Sequence, residues 1–241
     1  FSKVSGKGIE MLRNAGREVI VGGLEKECRE LNRRFFTLHE KNRPYVILKW
    51  AQSADGYIDI KRTKEQKAAS ITSSNLTCAL MVHKQRTEEQ AILIGANTMR
   101  MDNPQLTARK WDGNNPVRIV ITNSNNLDEN AKMLTDGQPT IVINTVRNQE
   151  NGNIRYIKTE SITAENILNI LGQLQLQSVI VEGGTQTLQT FIDSNLYDEA
   201  FIYQSAENLY DGVSAPQIDC CNATIENIGK VTLKHIIKTK Q

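Results

Sequence analysis

Three segments place reactive side chains beside the glycines and turns that would expose them. In Val179-Ile180-Val181-Glu182-Gly183-Gly184-Thr185, an apolar run ends in a carboxylate, two glycines and a hydroxyl. Glycines let a backbone approach a phosphate, and the free N–H groups and dipole of a following helix favour an anion. The alternative is a tight strand-to-helix turn with Thr185 as its cap. Glu182 either accepts hydrogen bonds from ligand hydroxyl or amino groups or is simply solvated. In the second segment, Ile92-Leu93-Ile94-Gly95-Ala96-Asn97-Thr98 leads through Asp102-Asn103-Pro104 to Gln105-Leu106-Thr107-Ala108-Arg109. A carboxylate and a guanidinium one loop apart can share a pocket, the first on hydroxyls or a reacting sugar, the second forked onto a phosphate; Asp-Asn-Pro also makes an ordinary turn. The third, Leu48-Lys49-Trp50-Ala51-Gln52-Ser53-Ala54-Asp55-Gly56, puts a lysine inside a strand. Such a lysine needs a partner or a ligand anion if the strand is buried, or it snorkels from an edge.

The elements that must position these residues alternate between strand and helix, the pattern of an α/β fold: a mostly parallel twisted sheet with helices on both faces. Expected strands are Tyr45 to Trp50, Ala91 to Gly95, Val117 to Thr122, Thr140 to Asn144, Ser178 to Val181, Glu199 to Tyr203 and Val231 to Ile237. Helical periodicity spans Ser74 to about Arg86, with Leu76, Ala79 and Leu80 on its inner face, Ala164 to Leu174, and Thr185 to Asn195. Asn123 to Asn130 and Asn148 to Asn153 read as exposed loops. In open sheets of this kind, ligands collect beyond the carboxyl ends of the strands, which is where all three segments fall. There is no Gly-x-Gly-x-x-Gly fingerprint.

The first forty residues read as helix, short buried strand (Val19-Ile20-Val21) and helix, with Gly16 as a C-terminal cap and Leu24, Cys28, Leu31 and Phe35 on one helical face. A boundary is expected between His39 and Pro44, dividing residues 1–40 from a domain of residues 41–241.

Composition narrows the function. The 29 basic and 27 acidic residues are scattered, leaving a net charge of +2 and no basic stripe, which argues against nucleic acid. No run approaches the ~18 apolar residues that span a bilayer, so no membrane partner is expected. Phe1-Ser2-Lys3 is neither an initiator methionine nor a signal peptide, which suggests a trimmed chain. Four cysteines without Cys-x-x-Cys spacing, and three scattered histidines, lead us to expect reduced thiols in a cytoplasmic protein and no metal.

Taken in order, several motifs resemble the reductase domain of the bifunctional riboflavin-biosynthesis deaminase/reductase family, which has a dihydrofolate-reductase-like fold. They are Pro44-Tyr45-Val46-Ile47-Leu48-Lys49, Ser53-Ala54-Asp55-Gly56, Ile71-Thr72-Ser73, Gly95-Ala96-Asn97-Thr98, Asp102-Asn103-Pro104, Leu106-Thr107-Ala108-Arg109, Pro116 to Ile121, and Val181 to Gly184. The resemblance runs from about Arg43 to Pro216. It implies NADPH as cofactor, with Thr98, Asp102 and the turn Gly183, Gly184, Thr185, Gln186, Thr187 near it, and Gln52, Ser70 and Asn123 as weaker contacts. It implies that Arg86 and Arg109 hold a substrate phosphate, with Gln105 beside them, and that Glu182 meets the pyrimidine or sugar. The reaction implied is hydride transfer to the ribose C1 of 5-amino-6-(5-phosphoribosylamino)uracil. Asp102 and then Lys49 are the candidates to assist proton movement. Asn103 departs from the family pattern, standing where a second acidic residue is common.

Residues 1–40 resemble the tail of the family's deaminase domain, through Val4 to Ile9 and Glu27 to Phe36. The His-x-Glu and Pro-Cys-x-x-Cys that a zinc deaminase uses to activate water do not occur in the chain, so deamination is not expected from it. The resemblance further implies a homodimer and an N-terminal deaminase domain in the full-length protein. The rival readings are a reductase of the same fold acting on another pterin or pyrimidine, and a non-catalytic nucleotide-binding module.

Overall fold

The computed structural model describes residues 6–69, 71, 75–124 and 126–238. The chain opens with α1 (Lys7–Asn14), α2 (Glu25–Leu31) and α3 (Arg33–Lys41), then enters β1 (Tyr45–Gln52) and β2 (Tyr57–Asp59). There follow α4 (Leu76–Glu88), β3 (Ala91–Gly95), α5 (Ala96–Asp102), β4 (Val117–Thr122), α6 (Lys132–Thr135), β5 (Thr140–Asn144), β6 (Gln149–Asn151) and β7 (Ile154–Lys158). The last third contains α7 (Ala164–Gln173), β8 (Ser178–Val181), α8 (Thr185–Asp193), β9 (Glu199–Ser205), β10 (Val213–Ser214), β11 (Thr224–Ile228) and β12 (Val231–Ile237).

Ten strands form one sheet in the order β11-β12-β9-β1-β8-β3-β4-β5-β7-β6. The run from β9 to β7 is parallel throughout, the antiparallel pairs of this sheet lie at its two edges, and β2 pairs antiparallel with β10 in a separate two-stranded sheet. The inner strands are continuous apolar runs because both of their faces are covered. Strand alternation sends Val46, Leu48, Val179 and Val181 to one face, against Ile167 and Leu171 of α7 and Leu188 and Phe191 of α8. The opposite face carries Ile92, Ile94, Val120 and Ile180 beneath Met99 of α5 and Met133 of α6. On that same face Cys78 of α4 meets Tyr203 and Leu233. Helices therefore lie on both faces, as the sequence pattern requires.

The N-terminal residues depart from expectation. Val19-Ile20-Val21 is not a buried strand: it is irregular, with Ile20 and Val21 85% and 62% exposed. A run of three has no neighbouring strand to pair with here, and unpaired strands are not stable. The expected single helix through Leu24, Cys28, Leu31 and Phe35 breaks at Asn32 into α2 and α3, and its first three apolar positions are exposed. Gly16, at φ 72, does close α1, its N–H reaching the Arg13 carbonyl. The α3 helix is anchored to the sheet. Arg34 Nε donates to Glu89 at 2.7 Å, and Arg33 lies 3.6 Å from Glu199 of β9.

Two further differences concern polar or ambiguous segments. Leu76 is not on the inner face of α4 but exposed, and Cys78 and His83 turn inward instead. Apolar residues surround that helix, so periodicity selects no single face. Within Asn148 to Asn153, exposed as expected, β6 nevertheless pairs with β7 across a turn at Gly152. All three of its residues are polar, so no alternation marks it; Gly152-Asn153, the two residues between the paired Asn151 and Ile154, is the hairpin signal that does.

Candidate active site

A cleft of about 700 Å³ opens beyond the carboxyl ends of β1, β8 and β3, roofed by β2 and the segment after it. Its wall brings together Lys49, Thr98, Asp102, Glu182 and residues 183–187, which lie on four separate elements or turns. This volume falls in the range of cofactor and small-molecule sites.

The glycine turn has two jobs. At Gly183 a Cβ would sit 2.7 Å from the Gly95 nitrogen and 3.0 Å from the Ile94 Cα, so this glycine lets the turns after β8 and β3 touch. Gly184 caps α8 without any side-chain hydrogen bond, and its own N–H donates to Thr98 Oγ1 at 2.9 Å. Thr185 is therefore not the cap; its hydroxyl donates to the Ser214 carbonyl. The first N–H groups of α8 have no intrahelical acceptor and face a cleft into which their dipole projects, an arrangement suited to an anion. Because the atoms opposing a Cβ at Gly183 are backbone, Gly183→Ala should destabilise the protein by about 1–3 kcal/mol and distort this anion seat; urea unfolding measures the first effect and nucleotide titration the second.

The floor of the cleft is a buried ionic cluster. Leu48 pairs with Val181, so the next residues, Lys49 and Glu182, meet across the β1–β8 ladder at 3.8 Å. β1 is an inner strand, which excludes the edge-snorkelling reading of Lys49. From α4, Arg86 Nη2 donates to Glu182 Oε2 at 2.7 Å and Arg86 Nη1 to the Thr107 carbonyl at 3.1 Å. Burial alone would raise the Glu182 carboxyl, but Arg86 and Lys49 overcome it and hold the group down at about 2. Burial lowers the Lys49 ammonium from its usual value, with Arg86 adding to the effect and Glu182 opposing it.

His83, one turn before Arg86, is 5% exposed, and its Nδ1 has no hydrogen-bond partner among the described residues. Burial, then Arg86, Arg109 and Lys110, push its pKa down to about 4. The unfolded chain therefore binds a proton here that the folded chain refuses. The associated stability is complete above pH 6.5 and is lost as pH falls toward 4. Glu182 acts in the same direction at lower pH, its contribution declining from the ordinary carboxylate range toward 2. Urea midpoints should thus fall between pH 6.5 and 4, and His83→Gln should flatten that slope while leaving the steeper decline below it.

Asp102, at the end of α5, is paired with Arg62, a residue that sequence reasoning did not single out. Lys61-Arg62-Thr63-Lys64 reads as a solvated charge run, and only the folded loop turns Arg62 inward. Burial raises the Asp102 carboxyl, against the opposing pull of Arg62. Other expected site residues lie off the cleft wall. Gln52, on the opposite face of β1 from Lys49, accepts from Trp50 Nε1 at 2.7 Å and borders a separate smaller hollow. Gln105 and Arg109 are exposed on the loop after α5, and Asn123 is exposed after β4. Ser70, with Thr72 and Ser73 of the quoted motif, lies outside the described residues.

A mostly parallel α/β sheet, a cleft at its carboxyl edge and a helix N-terminus with no side-chain cap beside a buried lysine and carboxylate define an α/β domain with a polar cleft of a shape and charge suited to an anion. Over residues 44–206 the chain matches the RibD C-terminal domain family, and it belongs to that family. It is 37% identical over 219 residues to the riboflavin biosynthesis protein RibD of Aquifex aeolicus, covering 88% of this chain and 60% of that protein. RibD of Bacillus amyloliquefaciens is 34% identical, with 89% and 59% covered. The structure of a diaminohydroxyphosphoribosylaminopyrimidine deaminase/5-amino-6-(5-phosphoribosylamino)uracil reductase from Thermotoga maritima superposes with a TM-score of 0.83 at 29% identity, covering 98% of this chain and 68% of that one. The chain thus spans about three fifths of the length of the RibD relatives it matches. No helix among the described residues is long and apolar enough to cross a membrane.

Proposed function

We propose that the chain is an NADPH-dependent reductase of riboflavin biosynthesis, converting the ribose of 5-amino-6-(5-phosphoribosylamino)uracil to a ribityl chain. The observation that carries this reading is the buried Lys49–Glu182–Arg86 cluster at the floor of a cleft that also holds the uncapped N-terminus of α8. Family membership and the reductase half of the Thermotoga maritima protein's description support it.

In this reading the N–H groups of Thr185, Gln186 and Thr187 hold the cofactor's pyrophosphate, Gly183 and Gly184 keep the approach open, and Thr98 and Asp102 take its hydroxyls. Ser70 and Asn123 remain weaker cofactor contacts, while Gln52, which faces the separate hollow across β1, does not. When bound, NADPH supplies the hydride that reaches the ribose C1. Glu182 accepts from the pyrimidine or sugar hydroxyls while Arg86 fixes its orientation. Arg86 offers its remaining N–H groups, and Arg109 its whole fork, to the substrate phosphate, with Gln105 at the loop's start. Opening the ribose ring breaks the C1–O4 bond as the lone pair of the attached amine nitrogen forms C1=N, leaving an iminium carbon for the hydride and negative charge on the ring oxygen. Lys49, whose proton is loosened by burial, gives that oxygen its proton. Asp102, the other candidate for proton movement, is held as a carboxylate by Arg62 and acts as an acceptor at the sugar.

The same reading makes the chain the C-terminal part of a longer cytoplasmic, homodimeric protein with an N-terminal deaminase domain, consistent with the greater length of its relatives. Residues 1–40 would then be the end of that domain and its linker. NADPH deuterated at the transferring position tests the chemistry: mass spectrometry should find one deuterium at C1 of a ribityl product. A product without deuterium, or no product beside bound nucleotide, overturns it.

A further inference from the structure

Arg62 follows β2 in a segment rich in lysine, yet its side chain is only 3% exposed. It uses most of its donors at once. Nε donates to Asp59 Oδ2 at 2.6 Å, Nη1 to the carbonyls of Gln66 at 3.2 Å and Met101 at 3.1 Å, and Nη2 to Asp102 Oδ1. Asp59 in turn accepts from the backbone N–H groups of Ile60 at 2.9 Å and Ala69 at 2.8 Å, which draws the ends of residues 60–69 together. These contacts join the loop to the last turn of α5. The first turn of the same helix carries Thr98, which receives the Gly184 N–H at the start of α8. One guanidinium therefore joins the roof of the cleft to α5, the helix whose first turn meets the start of α8.

We infer that Arg62 is a positioning residue of the cofactor cleft, holding the Asp102 carboxylate in place and seating residues 60–69 over the bound nucleotide. This rests on the nucleotide reading of the cleft. Although the Asp102 side chain is 39% exposed, what burial it has works against its ionised form, and Arg62 opposes that effect. The charged groups acting on it are Arg62 and, opposing, Asp59; Arg100 of α5 donates instead to Asn97 at 3.1 Å. A lysine at this position would keep the charge but lose the fork that reaches two carboxylates and two carbonyls together.

The test compares Arg62→Met, Arg62→Lys and Arg62→Met combined with Asp102→Asn. NADPH affinity is titrated by nucleotide fluorescence across a pH series, and amide hydrogen exchange of residues 60–69 is measured without nucleotide. Arg62→Met should weaken NADPH by about tenfold or more, the equivalent of one charge-assisted hydrogen bond. Its binding should also acquire a step in which affinity falls as pH drops, lying above the ordinary carboxylate range and absent from the double variant. Exchange across the loop should quicken, with Arg62→Lys intermediate in every respect; if the methionine variant does not fold, the lysine variant decides. Native affinity, an unchanged pH profile and unchanged exchange would overturn the inference. If the native chain binds no NADPH, the nucleotide reading fails, and loop exchange alone then decides whether Arg62 seats the loop.

Discussion

Replacing Lys49 by methionine should lower kcat by about 10²- to 10⁴-fold, the usual contribution of a positioned proton donor, while leaving the protein folded. Methionine roughly keeps the length of the side chain and removes a cation from an inner strand. Glu182 would not be orphaned, because Arg86 reaches both of its oxygens, at 2.7 and 3.4 Å. Removing one member of a buried ion pair is costly when it leaves an uncompensated charge, and Arg86 still compensates Glu182 here. Catalysis and stability should therefore separate, with kcat collapsing at saturating NADPH and substrate and the urea midpoint holding. An unchanged kcat would remove Lys49 from the mechanism. A loss of fold would show that its role is structural.

The largest effect on stability should come from Arg118→Met. Arg118 lies in β4 with its side chain 1% exposed. It grips the Asp136 carboxylate at 2.6 and 2.7 Å, and also donates to the carbonyls of Gln105, Met133 and Gln138 and to Thr140 Oγ1. Methionine can replace none of these bonds and leaves the Asp136 carboxylate without its guanidinium and the Gln105 carbonyl without this donor, while Thr140 Oγ1 still donates to the Met133 carbonyl at 2.9 Å. Because the Asp136 carboxylate left behind is 23% exposed, the cost is at the low end for a broken buried pair, about 3 kcal/mol, which for a chain of this length lowers Tm by about 10 °C. Because Gln105 begins the loop that leads to Arg109, substrate KM should rise as well, and by more than the KM for NADPH. Calorimetry and steady-state kinetics on the same preparation read both effects.

The parallel core was legible in the sequence because strands buried on both faces are written as uninterrupted apolar runs, such as Tyr45 to Leu48 and Ala91 to Ile94. The edges were less so. β6 is polar at every position and β11 at most of them, since each has only one neighbour to satisfy. Val19 to Val21 shows the converse error, with β-branched residues that have no sheet to join. In the cleft, Lys49, Thr98, Asp102, Glu182 and residues 183–187 could be found because chemistry in such folds gathers where strands end. What the sequence could not show was who pairs with whom. Arg86 and Glu182 are 96 residues apart. Arg62 becomes significant only when its loop folds back on α5, which no local pattern announces.

In the proposed function this chain, without a further domain, reduces a phosphoribosylamino-pyrimidine with NADPH. The most direct test follows the loss of NADPH absorbance as the purified chain meets freshly generated 5-amino-6-(5-phosphoribosylamino)uracil, with the undeaminated precursor as control. Oxidation with the deaminated compound, and none with its precursor, is the predicted result. No oxidation with either compound, although NADPH binds, would contradict the account.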